Sequence, residues 1–134
     1  MKYNSIDSER AVVGGLLLEP SVDKILLTRL TPEDFSDDKL SYIFTSILEM
    51  VKKKISVDAV TVRDYIDLER QPNDRPWAVN FEDLALLLEN SLGSTNIQSY
   101  ARHIRECRIK NSVEDLKKNI NYDNYQETVS QIQN

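Results

Sequence analysis

Residues 94–120 read STNIQSYARHIRECRIKNSVEDLKKNI. Ile97, Tyr100, Ala101 and Ile104 recur at helical spacing, and Ile109, Val113, Leu116 and Ile120 do so again. The two sets do not share a face: at about 100° per residue, the five-residue step from Ile104 to Ile109 turns the stripe by roughly 140°. One half is therefore expected to close the core of this chain and the other to meet a different neighbour. Asn111-Ser112 sits where the face rotates, and Ser112 followed by Asp115 resembles a weak capping box, so a kink or helix restart is expected there.

Outward from this stretch the rest of the chain is also helical in pattern. A segment from Ser5 to Pro20, SIDSERAVVGGLLLEP, opens with Ser5 as a capping residue and carries Asp7 and Glu9 where acids complement the helix dipole. Ile6, Val13 and Leu17 share its apolar face, and the pair Gly14-Gly15 implies close approach of another helix, since no phosphate-binding glycine pattern surrounds it. Ser21 caps a short helix with Val22, Ile25, Leu26 and Leu30 on its inner side, and Thr31-Pro32-Glu33-Asp34 reads as a single turn before Phe35. Residues 37–53 form the strongest core helix, with Leu40, Ile43, Phe44, Ile47 and Val51 at three- and four-residue spacing. Its Lys52-Lys53-Lys54 end suits the negative pole of the dipole.

Ile55-Ser56-Val57 is β-prone but short, and Asp58 caps a helix whose inner side is Ala59, Val62, Tyr65 and Ile66. Residues 71–80, QPNDRPWAVN, form a loop that Trp77 pins to the core. Another helix follows with Phe81, Leu84, Ala85 and Leu88 inward, stopped by Gly93. After Ile120, Asn121 to Asn124 has turn chemistry, and Tyr125, Val129 and Ile132 lie on one face of a final short segment. Folded back as a hairpin on residues 113–120, that segment leaves an apolar seam for a second copy or another partner. The expected architecture is all-α: a compact helical bundle over residues 1–110 and a helical hairpin for association over residues 111–134, with Ile109, Val113, Leu116, Ile120, Tyr125, Val129 and Ile132 as its partner-binding set.

Net charge is −5, which disfavours duplex DNA as the main ligand because such binding rests on Lys and Arg neutralising phosphates. The single Cys107 admits no intrachain disulfide, and no run approaches the ~20 apolar residues that span a bilayer, so the expectation is a cytoplasmic protein without membrane contact. Catalytic constellations are scarce. His103 and Cys107 stand four apart on one helix, the spacing of a thiol and its base, but nothing supplies a cleft or oxyanion hole. The acid pairs fall at helix starts rather than in metal-ligand patterns, and no cofactor is expected. Arg102, Arg105 and Arg108, followed by Lys110, Lys117 and Lys118, form a basic stripe that suits single-stranded nucleic acid or an acidic protein groove; the competing reading is a solvated face paired with Glu106, Glu114 and Asp115.

The order SIDSERAVVGGLLL (5–18), Asp34-Phe35, Tyr42-Ile43-Phe44 and NIQSYARHIRE (96–106) resembles the N-terminal domain of bacterial replicative DNA helicases of the DnaB type. That domain typically begins SIEAEQxVLGGLLL, carries DDF and HRxIF elements, and enters its last part through NIxxYAxxVRE. The resemblance implies an all-helical globule followed by a helical hairpin. In the family, hairpins pair into dimers, and the dimers form a collar on the hexameric motor that helps bind primase and sometimes a loader. Ser41-Tyr42 replaces the usual His-Arg, QPNDRPWAVN replaces a Gly-rich stretch, and no Walker A sequence is present. The expectation is thus a non-enzymatic interaction domain of DNA replication. It is either cut from a longer helicase or a free-standing phage or mobile-element relative that engages a host helicase or primase.

Overall fold

The computed structural model describes residues 3–70, 75–91 and 96–133, with side chains through Ile120. Among these residues the chain is all-α. Six α-helices run in order: α1 (Ile6–Leu18), α2 (Val22–Thr28), α3 (Asp38–Lys52), α4 (Ala59–Glu69), α5 (Phe81–Ser91) and α6 (Ile97–Gln133), with a 3₁₀ turn at Pro32–Asp34 between α2 and α3. The central element is α1, which packs most extensively on α5 and α6 and also meets α3. Val12, Val13, Leu16 and Leu17 of α1 join Ile43, Phe44, Ile47 and Met50 of α3, Val62 and Ile66 of α4, Leu84 of α5 and Ile104 of α6 in one core.

Gly14 is where α1 and α5 meet. A Cβ there would lie 2.2 Å from the Leu87 carbonyl oxygen and 2.9 Å from Ser91 Cβ, so only glycine lets the backbones approach this closely. Gly15 has no such constraint, its nearest neighbour being Ile97 Cδ1 at 3.4 Å. The close approach inferred from the glycine pair belongs to Gly14 alone.

The start of α1 departs from the sequence reading. Asn4, rather than Ser5, accepts the free Ile6 N–H at 2.8 Å, while the Ser5 hydroxyl donates to Glu9 at 2.7 Å. Glu9 is fully buried. Its carboxylate also accepts from the Ser36 N–H (2.9 Å), the Ser36 hydroxyl (2.6 Å) and the Asp37 N–H (3.1 Å), and so fastens α1 to the N-terminal end of α3. It acts on the dipole of a different helix from its own.

The other N-termini follow the sequence more closely. Ser21 accepts from Lys24 N, Asp37 from Leu40 N, and Asp58 forms a reciprocal capping box with Thr61. In α2 the inner side is narrower than its spacing suggests. Ile25 and Leu30 are buried, whereas Val22 and Leu26 are exposed. A helix of seven residues offers a single line of contact, and Thr28, three residues after Ile25, takes the second inner place. Phe81, expected inward, is exposed at the first position of α5, with the Arg63 guanidinium 5.9 Å from its ring.

The main difference concerns α6, which is one continuous helix of 37 residues. Neither a restart at Asn111-Ser112 nor a turn at 121–124 interrupts it, so the expected hairpin is absent. No Gly or Pro occurs between residues 97 and 133. Asn and Asp favour turns only by a few tenths of a kcal/mol per residue, roughly, over good helix formers, which an established helix overrides. The expected stops at Gly93 and caps at Ser94 or Thr95 lie outside the described residues; Asn96 accepts from Ser99 N at 3.3 Å at the start of α6.

Candidate interaction surface

The first half of α6 is built into the globule. Ala101, Ile104 and Cys107 are buried, and Ile97 and Tyr100 pack on the core. Beyond Cys107 the apolar residues turn outward as the rotated spacing requires: Ile109 is 63%, Val113 42%, Leu116 58% and Ile120 55% exposed. Their steps of four, three and four match the a/d repeat by which two helices form a seam. This stripe combines heptad spacing with exposure of every apolar member. The side chains of Tyr125, Val129 and Ile132 lie outside the described residues.

Three polar attachments fix where the stripe begins. The Arg105 guanidinium donates to the Thr28 carbonyl oxygen, placing a cation at the C-terminal end of α2. Arg108 pairs with Asp34 at 2.8 Å. Asn111 brackets the backbone of Tyr3, accepting from its N–H at 2.8 Å and donating to its carbonyl at 3.1 Å, while Lys110 lies 5.0 Å from the Tyr3 ring. Asn111 thus serves as an anchor rather than a helix break. Two of the three arginines proposed for nucleic acid are turned onto the protein; Arg102 is exposed. A groove of about 480 Å³ lies between the end of α2 and α6, and Arg29, Arg105 and Arg108 surround its apolar members Ile109 and Val113.

The thiol–imidazole pair is geometrically formed: Cys107 Sγ lies 3.6 Å from His103 Nε2. The thiol is buried, and that burial pushes its pKa up, away from the reactive thiolate. Among the described residues no group of three His, Cys, Asp or Glu side chains could hold a metal ion, and no helix is long and apolar enough to cross a membrane.

Trp77 has partners that sequence order hides. Its ring meets Tyr42 of α3 edge-on at 5.3 Å, and the Arg70 and Arg75 guanidinium groups lie 3.7 and 4.8 Å from the Tyr42 ring. Arg75 also donates to the Tyr42 hydroxyl at 2.6 Å. This cluster fastens Arg75 and Trp77 to α3, as the anchor reading of Trp77 requires. A cavity of about 380 Å³ between α1, α3 and α5 has the Lys39–Asp83 pair, 2.7 Å apart, in its lining. Burial raises the Asp83 pKa, but bonds from Lys39 and the Asn80 N–H outweigh it and hold the carboxyl below its ordinary value.

The family model for the DnaB-like helicase N-terminal domain matches residues 1–106. The chain is 28% identical over 110 residues to the replicative DNA helicase DnaB of Rhodothermus marinus, covering 82% of this chain and 11% of that protein. It is 25% identical over 103 residues to the replicative DNA helicase DnaB of Buchnera aphidicola subsp. Baizongia pistaciae, covering 77% and 22%. It therefore spans less than a quarter of the length of these curated relatives. The crystal structure of the N-terminal domain of DnaB helicase from Mycobacterium tuberculosis superposes with a TM-score of 0.72 at 25% identity, covering 90% of this chain and 85% of that one. The family model covers most of the chain, from α1 into the core-sealing start of α6, and the chain belongs to the DnaB-like helicase N-terminal domain family.

Proposed function

We propose that this chain is a non-catalytic interaction domain of DNA replication, acting in the cytoplasm. It pairs with a second copy of itself and docks the replicative helicase, primase or a helicase loader. Residues 1–110 form the folded body in this reading, and residues 111–134 carry association. The observation that carries it is the stripe Ile109, Val113, Leu116 and Ile120, exposed on the same helix whose first half closes the core. Fully burying such a side chain is worth ~1.5–3 kcal/mol, and these are about half exposed, so roughly half of that gain per residue remains for a partner. Tyr125, Val129 and Ile132, set off from Ile120 by a further five-residue step, form by their spacing a second proposed contact face toward the end of the chain. Membership of the N-terminal domain family supports an interaction role for these residues.

Leu116→Asp tests the reading, because it places a charge in the middle of the stripe without touching the core. Sedimentation should show a concentration-dependent dimer or larger assembly for the wild type and a monomer for the variant, with unchanged circular dichroism. A wild type that stays monomeric at high concentration and captures neither helicase nor primase would overturn it. A single-stranded DNA role has less support, since Arg108 is paired with Asp34 and no aromatic side chain lines the groove beside these arginines.

A further inference from the structure

We infer that the groove between the end of α2 and α6 docks an acidic, apolar-faced segment of a partner protein. Arg29 stands at one side, closing α2 with a left-handed backbone (φ 56°); it is exposed and forms no ion pair among the described residues. Arg105 is held on the neutral Thr28 carbonyl and keeps its full charge, whereas Arg108 is balanced by Asp34. Asp34 is the one acid lining the groove against three arginines, in a chain whose net charge is −5. Ile109 and Val113 supply the apolar contact beside these cations.

That pairing of two uncompensated guanidinium groups with two exposed aliphatic side chains selects the occupant. An amphipathic helix brings leucine- or phenylalanine-type anchors for the aliphatic members, and Asp or Glu flanking them meets Arg29 and Arg105 bidentately. Single-stranded nucleic acid fits less well, because no aromatic side chain lines the groove for bases to stack on. The inference deepens the association reading, since Ile109 and Val113 belong to the same stripe; Arg29, on a different helix, separates the two.

The test uses three fluorescent probes with the full chain: a helical peptide with a Leu/Phe face flanked by Glu and Asp, its counterpart with Lys in place of every acid, and oligo-dT. The acidic peptide should bind, shift the amide resonances of Arg29, Thr31, Ile109 and Val113, and weaken as salt rises. Arg29→Glu should weaken it by about tenfold or more with no change in thermal unfolding, and the lysine peptide should bind at least as much more weakly to the wild type. Peptide binding by a wild type that never self-associates would sustain the groove and remove self-pairing; self-association without acidic-peptide binding would do the reverse. Equal affinity for both peptides, shifts elsewhere, or tighter binding of oligo-dT at these amides would overturn the inference.

Discussion

Glu9 illustrates how a residue can be read correctly as acidic-at-a-helix-start and still be misplaced. Its position in the first turn of α1 matches dipole compensation, but its partners Ser36 and Asp37 are far away in sequence, and no periodicity announces them. Removing the carboxylate would leave the buried Ser5 hydroxyl and the part-buried Ser36 and Asp37 donors without this acceptor and empty a fully buried position. Glu9→Ala should therefore destabilise the fold by ~3–5 kcal/mol in urea unfolding, and a change below about 0.5 kcal/mol would contradict the buried network. The glycines divide in the same way. Gly14→Ala drives a methyl against the Leu87 carbonyl and should cost ~2–4 kcal/mol, whereas Gly15→Ala should be neutral or stabilise by up to ~1 kcal/mol. Cys107 makes a chemical prediction: with its thiol buried and its pKa raised, labelling by a disulfide reagent at mildly alkaline pH should be slow when folded and rapid after unfolding. Fast labelling of the native protein would reopen thiol chemistry.

At the scale of elements, the sequence was most informative where a helix is long enough to impose its own phase. The spacing of Leu40, Ile43, Phe44 and Ile47 predicts the buried face of α3, and the five-residue step after Ile104 predicts where α6 turns from core to solvent. It was least informative for α2, whose two turns leave the choice of inner face to tertiary contacts such as the bond from Arg105 of α6 to the Thr28 carbonyl. The 121–124 segment fails for a related reason: turn-prone residues end a helix when something packs against the returning chain, and the local preference alone is too weak. Carbon secondary chemical shifts should therefore stay helical from 113 through 124. Turn-like shifts at 121–124 would restore the hairpin. The Lys39–Asp83 pair joins the N-terminal ends of α3 and α5. Because its carboxyl is held below the ordinary range, the stability it contributes is present at neutral pH and is lost as the pH falls through that carboxyl's folded-state pKa.

For the whole molecule, the sequence motifs at 5–18 and 96–106 prove to be the two elements that pack on each other, α1 and the core-sealing start of α6. That is why the family was legible from sequence: the residues that carry the resemblance are those that hold the globule together. The proposed surface was legible only in part. The stripe could be counted out in advance, but Arg29 joins Ile109 and Val113 only through the fold, and the arginines read as a basic face prove to be divided between anchoring α2, pairing with Asp34 and facing solvent. If the outer face of α6 is an interface, amide spectra of the uniformly labelled protein recorded across a concentration series will register it. Concentration-dependent shifts and broadening are expected at residues 109–120 and the segment beyond, with α3 and α4 unchanged. Spectra invariant with concentration, or changes centred on α4, would contradict it.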